Sequence, residues 1–308
     1  IITVTGPDAT DFLQNQLTNS VKSIKPIDLG ELALAHTQNR FAGYCSAKGR
    51  LMGSFWITRK NTQNESGEVI PEYQLRISSD LAQTLSKRLS MFVLRSKVKV
   101  TDQSGHYNVY GLVDINNSMA TLVQKIGATG IGVAELPIVQ VDGMNCQRYL
   151  LTCTAEQETL LQDICSNNIN TAINVWDWLE VQSGIPRVTQ STYEQFVPQM
   201  VNMESLKGID FQKGCYPGQE VVARSQYRGT IKRRLQIGHV DSHNEVAIGT
   251  EIFHSEDPQQ PCGVVVLSAH HPSIKQRIDI QAECKLEALE TGSVHLGSVH
   301  GPTIQFAS

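Results

Sequence analysis

The stretch Lys213-Gly214-Cys215-Tyr216-Pro217-Gly218-Gln219-Glu220 concentrates the residue types that can do chemistry. Gly214, Pro217 and Gly218 describe a tight turn whose backbone can approach a ligand, with Cys215 at its tip. Lys213 stands two residues away, and a neighbouring cation favours the thiolate, the nucleophilic, oxidisable and metal-binding form. Of the seven cysteines, at 45, 146, 153, 165, 215, 262 and 284, Cys215 is therefore the candidate for a functional thiol, assisted by Lys213. The competing reading is a small apolar residue wedged in a turn. No C-x-x-C pair or regular spacing occurs, which argues against a disulfide framework and against a dedicated zinc or iron–sulfur cage, so no metal site is expected. This cysteine usage fits a reducing cytoplasm.

Charge marks the same region. Residues 213–234 hold Lys213, Arg224, Arg228, Lys232, Arg233 and Arg234 against Glu220 alone. Guanidinium groups pair two-pronged with carboxylate or phosphate, so this patch suits an anionic small molecule or one stretch of RNA; a merely solvated basic face fits as well. Tyr216 and Tyr227 add flat surfaces for a ring or an exposed base, or fill a core. The chain as a whole has 26 Lys plus Arg against 30 Asp plus Glu, a net charge of −4, and so no bulk positive field for nucleic acid. His239 and His243 share a strand face but sit about 13 Å apart on it, too far for a shared metal without a bend. No nucleophile elbow, Walker loop or H-E-x-x-H occurs.

The elements that position these residues fall into two textures. With 308 residues, 40% of them apolar and 18% charged, the chain suits a folded protein of about two domains. Pro7, Asp8 and Asp11 followed by Phe12, Leu13, Leu17 and Val21 predict a helix ending at Lys25-Pro26. Short strands are expected at Leu32–Ala35 and Gly43–Ile57 around a Lys48-Gly49-Arg50 hairpin, then a polar loop over 61–71. A helix near Leu81–Phe92 and a strand at Ser96–Thr101 give a β-α-β rhythm, with another strand at Val109–Val113. Gly127-Ala128-Thr129-Gly130-Ile131-Gly132 tempts as a phosphate loop, but it does not leave a strand to open a helix and reads as a surface turn. Helices follow at Ala155–Asn167 and Ala172–Gln182, the second stopped by Gly184-Ile185-Pro186. From Ile231 the runs Ile231–Val240, Thr250–His254, Gly263–Ser268 and Ile278–Leu289 predict a small all-β domain, a barrel or sandwich. No apolar run is long enough for a bilayer, and the start lacks the blocks of a signal peptide, so no membrane partner is expected.

The run Lys213–Glu220 resembles the K-G-C-[FY]-x-G-Q-E signature of the YgfZ family of folate-binding proteins. The likeness extends to Gly184-Ile185-Pro186, Pro198-Gln199, Asn202, Gly208-Ile209 with Phe211, Ala223-Arg224, Tyr227-Arg228-Gly229, Lys232-Arg233-Arg234-Leu235, Phe12-Leu13-Gln14 with Gln16, and Lys48-Gly49-Arg50. It covers most of residues 1–235, is specific over 184–235 and weak beyond. That family is similar to the aminomethyltransferase (T-protein) of the glycine cleavage system. The resemblance implies an α+β fold whose subdomains surround a central folate channel, with a C-terminal β-barrel. It places a folate-binding region of two α+β subdomains, continuous or discontinuous in sequence, at 1–230 and the barrel at 231–308.

The resemblance also implies tetrahydrofolate or a derivative as the cofactor and a role supporting iron–sulfur enzymes, including those that thiolate tRNA, with the motif cysteine required. Mitochondrial iron–sulfur assembly factors of eukaryotes look like the same family. Where the transferases carry an Asp pair this chain has Gly53 and Ser54, so the catalytic carboxylate is absent and independent turnover is not expected. The transferase's pterin-recognising Glu falls on Gln182, which keeps an acceptor and a donor without the charge; a one-residue slip in the alignment brings Glu180 into question instead. Folate contacts are accordingly expected at Gln182, Tyr216, Gln219, Glu220, Arg224 and Arg228, the two arginines receiving the glutamate tail or fixing the Cys215 loop.

Three functions follow. The first is a folate-binding accessory protein with transient iron–sulfur client or assembly partners. The second is a folate-dependent one-carbon transferase or hydrolase with Cys215 as nucleophile, for which only His36 or His106 offers a base. The third is an RNA-binding module in direct contact with tRNA through the basic patch, marked by steeply salt-dependent binding.

Overall fold

The computed structural model describes residues 1–28, 30–116, 118–166 and 173–307, with Ile173 placed by its backbone alone. Its first elements are β1 (Ile2–Thr5), α1 (Ala9–Gln14), β2 (Leu32–Ala33), β3 (Asn39–Cys45), β4 (Leu51–Gln63), β5 (Val69–Arg76), α2 (Ser79–Met91) and β6 (Lys99–Asp102). Next come β7 (Tyr107–Ile115), α3 (Ala120–Gly127), β8 (Gly132–Glu135), β9 (Val139–Val141), β10 (Met144–Thr154) and α4 (Ala155–Cys165). The remainder holds α5 (Ile173–Gln182), α6 (Gln219–Tyr227), β11 (Arg233–Asp241), β12 (Glu251–His254), β13 (Asp257–His270), β14 (Arg277–Lys285), β15 (Val294–Leu296) and β16 (Gln305–Phe306). The contacts divide the chain into two units: Ile1–Tyr44 with Gly53–Thr171 and Lys207–Pro217, and Cys45–Met52 with Ala172–Leu206 and Gly218–Ser308. No helix among the described residues is long and apolar enough to cross a membrane.

The first unit holds two sheets. One has the strand order β3-β4-β5-β1-β6, with Ile2 of β1 facing Leu75 of β5 on one side and Asp102 of β6 on the other. Helix α2 buries Leu81, Leu85 and Leu89, a stripe at i, i+4 and i+8. Each such side chain contributes about 2 kcal/mol when fully buried. The other sheet runs β2-β8-β10-β7, with β9 paired to β10. Val123 and Ile126 of α3 and Leu161 of α4 pack with Val133, Tyr149 and Leu151 of that sheet to form its core. At the start of α4 Gln157 Oε1 accepts from Thr154 N at 3.1 Å, which satisfies one donor left over at the helix entry.

The second unit is built on a six-stranded sheet in the order β15-β12-β13-β14-β11-β16, every neighbouring pair antiparallel, curled into a half-barrel. Register shifts between β12 and β13 and between β13 and β14 supply local bends. Its core gathers Val240, Ile252, Val265, Ile278, Ile280 and Ala282. Helix α5 lies against β13 and β14. Trp178 Nε1 donates to Asp279 Oδ2 at 3.1 Å, and the Gln281 amide donates to the carbonyls of Glu180 and Val181 at 2.9 and 3.0 Å. The amide thereby joins Ser183 Oγ on the Glu180 carbonyl and Gly184 N on the Val181 carbonyl, tying the end of α5 to β14.

Several expectations are revised. The first helix ends at Gln14 rather than near Lys25, because Gln14 Oε1 accepts from Val21 N at 2.9 Å and folds the chain back. Phe12, Leu13, Leu17 and Val21 are all buried, so their spacing reports burial and not one continuous helix. The polar loop over 61–71 is a hairpin: Thr62 faces Ile70, and only a tight turn intervenes, where Gly67 N donates to Asn64 O at 2.9 Å. The strand expected at Ser96 begins at Lys99, and strand pairing extends through Val109–Val113 to Tyr107–Ile115. The glycine-rich stretch follows a helix and leads into a strand, the reverse of a dinucleotide loop. The expected helix ends at Asn167 and Ala172 lie outside the described residues.

Candidate functional site

The segment before Cys215 is strapped to the turn after α1. Thr18 Oγ1 donates to Gly208 O at 2.7 Å, Asn19 Nδ2 donates to Lys207 O at 2.7 Å, and Asp210 N donates to Thr18 O at 3.0 Å. Lys213 completes the strap: its ammonium donates to the carbonyls of Gln14 and Leu17 and lies 4.9 Å from the centre of the Tyr216 ring. Tyr216 is buried, so its ring forms a floor beneath that cation. Cys215, between them, is exposed, whereas Cys165 is half-buried and the other five cysteines are buried. The motif thus presents a reagent-accessible thiol on a segment held by backbone carbonyls, as a functional thiol requires.

Burial pushes the Lys213 ammonium down to about 8, against the pull of Asp210 and then Cys215. With a folded value below the unfolded one, the unfolded chain binds more protons between pH 8 and 10.5, and stability must rise with pH across that window. The neutral amine keeps two N–H donors for its two carbonyls. Urea unfolding of the wild type is therefore expected to grow harder from pH 8 to 10.5 relative to Lys213→Met, which lacks the titrating group. Parallel pH dependences in the two proteins would contradict this.

The second glycine of the motif has a purely steric task. Gly218 sits at φ +77° as α6 begins, and a Cβ there would lie 2.4 Å from Ser46 O and 2.6 Å from Gly49 N and Cα. Gly49, at φ +69°, is equally confined, its Cβ position being 2.7 Å from Val221 Cβ. Two stretches that the sequence marks separately, the cysteine motif and the Lys48-Gly49-Arg50 turn, therefore pack backbone against backbone. Gln199 ties α6 down, donating to Val222 O at 2.7 Å, while Asn202 donates to Leu235 O at 2.9 Å. Arg234 donates to Gln199 O at 3.0 Å and pairs with Glu204.

The basic patch breaks up in the structure. Arg233 is paired with the buried Glu283, Nη2 to Oε2 2.9 Å, and Arg234 is committed as described. Arg224 meets Glu220 at 2.7 Å one helical turn away, with both side chains exposed. Arg228 and Lys232 are exposed and carry no ion pair among the described residues. Gln219 opens α6, half-buried. Gln182 is the last residue of α5, also half-buried, and its side chain makes no hydrogen bond among the described residues. Glu180, by contrast, is held by Arg187 at 3.0 Å. A Cβ at Gly53 would lie 2.5 Å from Leu85 Cδ1, so this position faces α2, and Ser54 lies buried on the opposite face of β4.

One constellation escaped the sequence reading. In the first unit a cleft of about 390 Å³ is lined by Thr58, Gln74 and Arg76 from one sheet and Val133 and Thr152 from the other. Arg76 carries no motif around it, and its single sequence cue is a charge at the end of an alternating apolar strand.

No protein-family model matches the chain. Its sequence is 31% identical over 245 residues to the tRNA-modifying protein YgfZ of Edwardsiella ictaluri, covering 76% of this chain and 66% of that protein. The chain belongs to the YgfZ family. The YgfZ protein of Yersinia pseudotuberculosis is 28% identical over 243 residues, covering 76% of this chain and 67% of its own length, so the chain spans about two thirds of these YgfZ relatives. Among solved structures, the glycine cleavage system aminomethyltransferase T from Bartonella henselae superposes on the whole chain and 82% of its own, with TM-score 0.59 and 16% identity. This chain and the aminomethyltransferase therefore share a fold.

Proposed function

We propose that this YgfZ-family protein is a folate-binding accessory protein that supports iron–sulfur enzymes, and through them tRNA modification. The observation that carries the reading is the single exposed cysteine of seven, placed by the family motif on a segment anchored through Lys213. The curated relatives, named as tRNA-modifying proteins, and the fold shared with a glycine cleavage aminomethyltransferase support it. Tetrahydrofolate is the cofactor in this reading, with the free amide of Gln182 offering one donor and one acceptor to the pterin edge. Tyr216, Gln219, Glu220, Arg224 and Arg228 complete the residues assigned to the cofactor.

Cys215 acts in a later step on a sulfur or iron–sulfur species. A lone thiol cannot hold a cluster, so the complex is transient and borrows thiols from a client or assembly protein. Independent turnover does not belong to this reading, because Gly53 and Ser54 supply no carboxylate where the transferases carry an Asp pair.

Calorimetric titration with tetrahydrofolate under anaerobic conditions tests the cofactor assignment. Gln182→Ala is expected to bind about tenfold more weakly, the equivalent of one to two hydrogen bonds, with an unchanged melting temperature. Equal affinity in the two proteins would remove Gln182 from the site.

A further inference from the structure

We propose that the cleft between the two sheets of the first unit is a second ligand site, which takes the carboxylate or phosphate group of a small molecule on the guanidinium of Arg76. Arg76 ends β5 and is only 7% exposed. Its partners are neutral: Nε donates to Thr152 Oγ1 at 2.9 Å, Nη1 to Thr58 Oγ1 at 3.0 Å, and Nη2 reaches Gln74 Oε1 at 3.5 Å. These three bonds use three of the five N–H donors of a guanidinium and leave two. No carboxylate pairs with Arg76 among the described residues, and burial alone pushes the group down to about 10 with nothing drawing it back. Buried charges are ordinarily paired, so a cation solvated by two hydroxyls at the wall of a cleft of about 390 Å³ is matched to an anion from outside the chain.

The other charges of the cleft do not serve that purpose. Lys60 is paired with Glu72 at 3.0 Å, and the guanidinium of Arg59 lies 5.9 Å from the centre of the Tyr73 ring. Asp28 and Glu31, at the lining, bond to each other's segment, Asp28 N donating to Glu31 Oε2 at 3.2 Å. The N-terminus of α4 also reaches the cleft through Thr154 and Gln157, but these two cap one another. Arg76 is thus the group that donates to the anion, and the planar fork of its guanidinium suits an oxyanion presenting two oxygens. The site lies within the first unit and stands independently of the folate reading.

Thermal unfolding of the full chain in potassium phosphate and in potassium acetate, each against potassium chloride at equal ionic strength, tests the site. At least one oxyanion is expected to raise the wild-type midpoint above chloride, the larger rise telling phosphate from carboxylate, while Arg76→Gln shows none and Arg76→Lys binds about tenfold more weakly. Equal rises in wild type and Arg76→Gln, or none in wild type, would overturn the proposal. Should Arg76→Gln not fold, wild-type crystals soaked in selenate and in 4-bromobenzoate, whose aryl bromide does not alkylate thiols, decide the matter: an anomalous peak at the Arg76 fork supports the site, and its absence in both overturns it.

Discussion

A Gly218→Ala variant is expected to lose about 3 kcal/mol or more of stability, against about 0.5 kcal/mol or less for Gly214→Ala four residues earlier. Both glycines belong to the cysteine motif, yet their surroundings differ. Gly218 holds φ +77°, which an L side chain adopts at a cost, and an added methyl would meet Ser46 O at 2.4 Å and Gly49 at 2.6 Å. Those neighbours are backbone atoms and cannot rotate away, so the turn at Gly49 or the start of α6 must move. At Gly214 an added Cβ meets no atom within 4 Å. Urea midpoints of the two variants measure the difference directly. Equal destabilisation would mean that the close approach of residues 46–49 to Gly218 is not part of the native state.

The second large effect concerns activity without stability. Cys215→Ser is expected to unfold within about 0.5 kcal/mol of wild type, since the exposed thiol packs against little, and to abolish function. The readout is the content of thiolated nucleosides in tRNA, measured by mass spectrometry in a bacterial strain lacking its own YgfZ protein and supplied with this chain. Wild type is expected to restore them and Cys215→Ser to leave them at the level of the empty strain. Full restoration by the serine variant would reduce Cys215 to a turn residue and remove the thiol from the proposed function.

How much of this could be read from the sequence depended on what each residue type reports. The cysteine motif was visible as a dense cluster of Gly, Pro, Cys and Lys. That Lys213 reaches the carbonyls of Gln14 and Leu17 was not, because those acceptors are backbone atoms some two hundred residues away in sequence and any residue type would supply them. The six basic residues of 213–234 looked like one patch because composition ignores direction; Arg233 and Arg234 in fact turn to Glu283 and Glu204. Helical spacing from Phe12 to Val21 reported burial truthfully and conformation only in part, since a single glutamine side chain, Gln14, replaces the helical bonds that would have continued it. Strand β1 and the long strand β10 left weak traces: both mix polar with apolar residues, and their pairing is set by partners distant in sequence. Arg76 was invisible for the opposite reason, as one charged residue whose meaning lies wholly in the hydroxyls around it. The half-barrel of β11–β16 was legible because short strands separated by polar turns carry their signal locally.

In the proposed function this protein binds tetrahydrofolate and holds the Cys215 thiol for a separate step. Anaerobic equilibrium titration of wild type and Cys215→Ala with tetrahydrofolate tests it most directly. Saturable binding of one folate per chain is expected, with the same affinity in both proteins. Absence of binding by the wild type would contradict it, and the motif would then have to be understood as a surface for docking another macromolecule.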